Sequence, residues 1–206
     1  STPVGGLASI PLRDGSKVTL NTHSELRVAL TDAERRIELK DGEAFFDVAK
    51  DPSRPFIVEA GDQRVIAVGT QFSVRREGAK LQVVVTEGKV RVEGRDGGTQ
   101  MLTAGAILHS VRDSRLVQQK TLYEAQQALS WRSGYLTFEE TSLADAIAEF
   151  NRYSAQQIVI QDPQLAALRI NGKFRSTNAN EFVELLHEGF GIQVKKTEET
   201  IALLAE

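Results

Sequence analysis

The chain has 206 residues with no cysteine, a net charge of −3, and 41 % hydrophobic against 26 % charged residues, an ordinary globular mixture whose core needs no staples. This argues for one large domain or two small ones, and against a disulfide framework, a thiolate metal site or a cysteine nucleophile. Residues 131–206 hold 7 Lys+Arg and 11 Asp+Glu, while the remaining 18 and 17 leave 1–130 at +1; neither half has the basic surface that nucleic acid requires.

From residue 7 to about 120 the apolar positions recur with period two. Val18 and Leu20 alternate, then Leu26, Val28 and Leu30, then Ile37 and Leu39, then Phe56 and Val58, the run Val65–Val74, LQVVV and VRV. Asp14-Gly15, Asp41-Gly42, Gly61-Asp62, Glu87-Gly88, Gly97-Gly98 and Ala104-Gly105 read as turns between them. Many short strands with glycine turns predict a mainly β module over 1–120, either a two-layer sandwich or a short β-solenoid. No fixed-length repeat supports a long solenoid. The pattern fades after Ser114 into a polar, Gln-rich, partly helical stretch, with a connector over 121–133.

Residues 134–206 change element type. YLTF is a strand, and Ser142 with Asp145 resembles a capping box ahead of Leu143, Ile147 and Phe150 at one-face helical spacing. QIVIQ is the next strand. Asn171-Gly172 has hairpin chemistry, yet Leu168, Ile170 and Phe174 keep even register through it, which predicts one strand with Gly172 on its buried face. Asn178 and Glu181 open a second helix carrying Phe182, Leu185, Leu186 and Phe190, ended by Gly189 or Gly191. IQV and IALL form a last hairpin. The predicted order is β-α-β-β-α-β-β, a small α+β module with two helices on a sheet.

Few residues suggest chemistry. His23, His109 and His187 are scattered without metal-ligand spacing, so no metal and no cofactor is predicted. Glu139-Glu140 and Glu198-Glu199 are adjacent in sequence, whereas a glycosidase needs carboxylates opposed across a cleft. Gly94–Gly98 opens no helix and so forms no phosphate cradle. The exception is Gly69-Thr70 inside VIAVGTQFSV, a step open to two readings. Glycine in a strand admits a close backbone neighbour and threonine suits a strand. Alternatively, Thr70 Oγ1 attacks the Gly69 carbonyl and converts the peptide into an ester that water splits, which requires the fold to distort the amide.

No apolar run is long enough to span a membrane, and STPVGGLASI lacks the basic start and apolar stretch of a signal peptide; the abrupt start suits a segment cut from a longer protein. The segments LRDGSKVTLNTHSEL, LKDGEAFFDVAKD, RPFIV and VGTQFSVR, then WRSGYLTF, LADAIAEFNRYS and INGKF, stand in the order seen in FecR-like anti-sigma factors, of the ferric-citrate-regulator type. The C-terminal part also resembles the short domain at the N-termini of secretins and TonB-dependent transducers. This resemblance covers essentially all of the chain. It implies the periplasmic region of a single-pass inner-membrane protein of a Gram-negative bacterium, with the cytoplasmic sigma-binding segment and the membrane span lying outside this chain. It further implies binding to the signalling domain of a TonB-dependent outer-membrane siderophore transducer. In the family, regulated cleavage by periplasmic and intramembrane proteases then frees the cytoplasmic part to act with its extracytoplasmic-function sigma factor, and some family members cleave themselves at a Gly-Thr step that falls here on Gly69 and Thr70. On this view the chain is a binding module with at most a single-turnover self-cleavage, rather than an enzyme. Strand addition at exposed edges offers a docking mode, with Ile158, Val159 and Ile160 on one candidate strand and Ile201, Leu203 and Leu204 on the other. A structural assembly module of secretin type and a carbohydrate-active β-protein are the alternatives.

Overall fold

Alternating apolar residues and glycine turns build twelve strands ahead of residue 120 in the computed structural model, which describes residues 1–112 and 114–205. They are β1 (Ala8–Pro11), β2 (Lys17–Leu20), β3 (Glu25–Leu30), β4 (Arg35–Asp47), β5 (Phe56–Ala60) and β6 (Gln63–Ala67). There follow β7 (Gln71–Glu77), β8 (Lys80–Glu87), β9 (Lys89–Glu93), β10 (Thr99–Thr103), β11 (Ala106–Val111) and β12 (Ser114–Gln119). All belong to one sheet that curls into two layers. One layer runs β1-β2-β4-β7-β8-β11-β12, the other β3-β4-β5-β6-β9-β10, and β4 serves both. Of the two architectures expected, this is the layered one, because the pairs are antiparallel apart from β4 with β5, whereas a solenoid stacks parallel coils.

The 13 residues of β4 show how one strand feeds two layers. Arg35, Ile37 and Leu39 point inward before Asp41-Gly42, and Ala44 and Phe46 after it, so the inward parity changes from odd to even. A register shift opposite Glu25 and Leu26 absorbs the extra residue, as a bulge does. Asp41-Gly42 is therefore a corner inside a strand and not the turn its composition suggests. Gly42 sits at φ +87, and a Cβ there would lie 2.6 Å from the His23 carbonyl oxygen and from Ser24 Cα. Gly42→Ala is expected to destabilise the module by about 2–4 kcal/mol, read as a lower urea midpoint at unchanged slope.

Phe46 bridges the layers, 5.2 Å from Phe72 and 5.7 Å from Phe56 between ring centroids, amid Val18, Leu20, Val58, Val83 and Leu108. After β4 and β5 the chain changes layer at three places: between β6 and β7 at Val68–Thr70, between β8 and β9 at Gly88, and between β10 and β11 at Ala104-Gly105. These crossings lie side by side, since Ala104 N donates to Gly88 O (3.1 Å) and Gly105 N to Val85 O (2.8 Å). The run Val65–Val74 is thus two strands in different layers, not one. An alternation of apolar residues reports which side is buried, and both layers bury the same interior.

The chain divides into two units, Ser1–Leu129 and Ser130–Glu206. The expected connector straddles that division: α1 (Leu122–Gln127), capped by Thr121 through a capping box with Glu124, closes the first unit. A 3-10 turn at Ser130–Ser133 opens the second.

The second unit runs β13 (Tyr135–Ser142), α2 (Leu143–Asn151), β14 (Gln157–Ile160), β15 (Arg169–Arg175), α3 (Ala179–Phe190), β16 (Gln193–Lys196) and β17 (Thr200–Leu204). That is the predicted order, with a 3-10 turn (Pro163–Ala167) added before β15. Both predicted caps form: Asp145 N donates to Ser142 Oγ (3.1 Å) and Glu181 N to Asn178 Oδ1 (3.3 Å). The strands make two sheets instead of one, β13-β15 and β14-β17-β16. Patterning fixes a strand's buried face, not its neighbour. β15 passes straight through Asn171-Gly172, but Gly172 is exposed, and the place of a Cβ lies 2.9 Å from the Phe174 ring. Phe174 instead joins Phe138, Phe150 and Phe182 in an aromatic core, with Phe150 and Phe182 stacked at 4.4 Å.

Candidate functional site

Gly69 and Thr70 occupy the crossing from β6 to β7. The segment after β4 runs alongside as a strap. Val48 N donates to Thr70 O (3.0 Å) and Asp51 N to Val68 O (3.0 Å), so the carbonyls on either side of Gly69 are pinned. Among the described residues no hydrogen bond reaches the Gly69 carbonyl between them. Lys50 of the strap lies over Gly69: a Cβ there would stand 2.9 Å from Lys50 Cα, so the close approach inferred from the sequence is real. Gly88, at φ +74 in the adjacent crossing, lies on another side. A Cβ on Gly88 would come 2.7 Å from Thr70 Cγ2 and 3.2 Å from Gly69 O.

Thr70 is 5 % exposed, and its Oγ1 is buried without any hydrogen-bond partner. Leaving a buried hydroxyl unpaired costs about 1–3 kcal/mol, so such groups call for an explanation beyond packing. A buried hydroxyl without a hydrogen-bond partner thus adjoins a carbonyl without one, between two carbonyls that are held.

The strap is held from beneath by a group that pattern reading passes over. Arg35 is fully buried; Nη1 donates to Asp14 Oδ2 (2.9 Å) and to Ala49 O (2.8 Å), and Nε to Arg54 O (3.0 Å). Asp14 accepts from Ser16 Oγ (2.7 Å), and Ser16 Oγ accepts from Ala49 N (3.0 Å). Burial works to raise the Asp14 carboxyl, but the hydrogen bonds from Ser16 and Arg35 outweigh it and hold the group below its usual range. A signal is present in the sequence: Arg35 shares the inward parity of Ile37 and Leu39, where a cation needs a buried anion.

In the second unit the expected docking strands differ in access. β17 lies between β14 and β16, so Ile201, Leu203 and Leu204 are on a central strand and offer no edge. Short adjacent strands of similar composition do not reveal which one is interior. β14 is an edge, with Ile158 buried and Val159 39 % exposed. Asn151, at the end of α2, covers part of it: Nδ2 donates to Ile158 O (2.8 Å), and Oδ1 accepts from Ile158 N (2.7 Å). The side-chain amide thus stands where a neighbouring strand would bond, a common protection of exposed edges. Val159 and Ile160 remain beside this plug.

The remaining sequence candidates stay apart. His187 Nδ1 is 2.8 Å from Ile192 O at the end of α3, and Glu140 pairs with Asn171 at the β13 bulge. Among the described residues no group of three or more His, Cys, Asp or Glu side chains could hold a metal. No helix of the described residues is long and apolar enough to cross a membrane.

Comparison with known proteins agrees with both units. The family model described as FecR protein matches residues 1–91, and that described as FecR, C-terminal, matches residues 135–203. A crystal structure of a putative anti-sigma factor from Parabacteroides distasonis ATCC 8503, at 1.65 Å resolution, is 27 % identical with a TM-score of 0.83, over 100 % of this chain and 98 % of that one. A second, at 2.50 Å, is also 27 % identical, with a TM-score of 0.82 over 100 % and 97 %. No curated protein matches the sequence significantly.

Proposed function

The chain belongs to the FecR protein family, and from that premise we propose that it is the periplasmic relay of a transmembrane anti-sigma factor. The family supplies the signalling role; that two family models fall one on each structural unit is the observation that carries it. The second unit is the receptor for the signalling domain of a TonB-dependent siderophore transducer. The first is a rigid spacer on the membrane side, tethered through its N-terminal end. Docking uses the β14 edge, where an incoming strand replaces the two bonds that Asn151 makes with Ile158 and adds bonds at Ile160. The occupied relay is then cut by periplasmic and intramembrane proteases, releasing the cytoplasmic segment to its sigma factor.

Self-cleavage at Gly69-Thr70 belongs to the same reading. Thr70 Oγ1 adds to the Gly69 carbonyl carbon and loses its proton, the C–N bond breaks as the Thr70 nitrogen takes up a proton, and an ester results. Water then yields a Gly69 carboxylate and a free Thr70 amine. What supports this is the unpartnered Oγ1 next to an unpartnered carbonyl. After the cut, β4 with β7 and β6 with β9 still pair across the break, and the shared core needs no chain continuity. The membrane tether is severed while the particle persists.

Titration calorimetry with the transducer's signalling domain tests the receptor role. We expect a one-to-one complex whose affinity rises in Asn151→Ala, because the β14 edge is then unplugged. No heat at tens of micromolar would refute the receptor role, and an affinity indifferent to position 151 would refute the β14 edge.

A further inference from the structure

The β-rich unit has a second feature at the end opposite Gly69-Thr70. The turns after β5, β7, β9 and β11 surround a cleft of about 480 Å³ lined by Asp62, Gln63, Arg76, Lys80, Arg95 and Arg112. Four cationic side chains face the single carboxylate of Asp62 among these residues. Arg95 is 3.9 Å from Asp62, and both are largely exposed. Arg76 is held in place by bonds to Leu39 O (3.3 Å) and Gly78 O (3.4 Å), neither of which neutralises it. Lys80 has no carboxylate partner among the described residues. Asp113, next to Arg112 in sequence, lies outside them.

Gln63 closes the floor of the cleft: it is 6 % exposed and its amide nitrogen donates to Ser110 Oγ (2.7 Å). The open lining is thus a cluster of cations, which a phosphate group satisfies.

The position of the cleft narrows the source. Arg76 pairs with Gly42, whose backbone packs on Ser24, and Ser24 O accepts from Thr2 N (2.9 Å). Gly5 N donates to Thr22 Oγ1 (2.8 Å) alongside. Residues 1–5 and the cleft therefore share one end of the unit, whereas Gln71, next to the Gly69-Thr70 step, pairs with Asp47 at the other end of the same ladder. We propose that this cleft binds the headgroup phosphate of an anionic membrane phospholipid. The proposal rests on the proposed function, in which the N-terminal end of this unit lies on the membrane side. A lipid held here orients the unit with its cleavable crossing away from the bilayer.

The overall charge of −3 makes the test selective, because binding of this chain to anionic vesicles needs a local basic surface. Cosedimentation of the full chain with vesicles of equal parts phosphatidylglycerol and phosphatidylcholine should show binding at low salt that high salt abolishes. A basic residue near such a surface contributes roughly a factor of five. The double variant K80E/R95E should therefore bind at least tenfold more weakly, with its thermal unfolding unchanged. Equal retention on pure phosphatidylcholine vesicles, an unaffected double variant, or soluble glycerol phosphate bound as tightly as vesicles would overturn the proposal. No transducer domain enters this experiment, so its failure and a failed calorimetric titration are separate results.

Discussion

Thr70→Val is expected to abolish scission at Gly69-Thr70 while leaving the fold at least as stable as before. The substitution keeps the branched shape and removes a buried hydroxyl that has no hydrogen-bond partner, so a gain of about 1 kcal/mol accompanies the loss of reactivity. Thr70→Ala should also leave the fold intact and uncut, and Thr70→Ser should still cut because it retains the hydroxyl. Denaturing gels of long-incubated samples read the scission, and urea unfolding reads the stability. Cutting that persisted in Thr70→Val would assign the break to a contaminating protease.

The largest loss of stability should come from Arg35→Met. The Arg35–Asp14 pair is sealed from solvent, with side chains 0 % and 3 % exposed at 2.9 Å. Removing the guanidinium leaves Asp14 buried without a counter-charge and frees the carbonyls of Ala49 and Arg54, a change of about 3–5 kcal/mol. Because the folded Asp14 carboxyl titrates below its ordinary value, the pair stabilises the protein above pH ~4 and loses that contribution as pH falls through the lowered value. Wild type should therefore weaken on acidification through this range, and Arg35→Met should weaken less, as measured by urea midpoints at neutral and acid pH. The strap over Gly69 depends on the same network. The variant should accordingly expose residues 48–54 to added protease and slow the self-cleavage, since Val68 O and Thr70 O lose their fixed donors.

How far the sequence reveals this molecule depends on the range of the interactions involved. The helices of the second unit are legible because their signals are local: Ser142 with Asp145, Asn178 with Glu181, and apolar residues on one face. Gly69 is legible as a close approach because only glycine tolerates the Lys50 backbone there. The partner in that approach is not, since Lys50 and Gly69 stand 19 positions apart and no pattern links them. The corner at Gly42 reads as a turn because both call for the same positive φ. The edge strand of the second unit is half legible: composition marks a strand at Ile158–Ile160, whereas Asn151 as its cover follows from α2 ending beside it. The cationic cleft leaves no sign in sequence, since Arg76 and Lys80 of the β7–β8 turn, Arg95 and Arg112 come from three turns brought together by the curl of the sheet.

Two ladders bridge the break, β4 with β7 and β6 with β9, so the first unit should be one particle and two polypeptides at once. Mass spectrometry of a single purified sample, run once under native and once under denaturing conditions, tests this directly. The prediction is a native mass equal to the whole chain plus one water, and, on denaturation, two species that end at Gly69 and begin at Thr70. A full-length polypeptide surviving denaturation after prolonged incubation, or fragments that already part under native conditions, would contradict it.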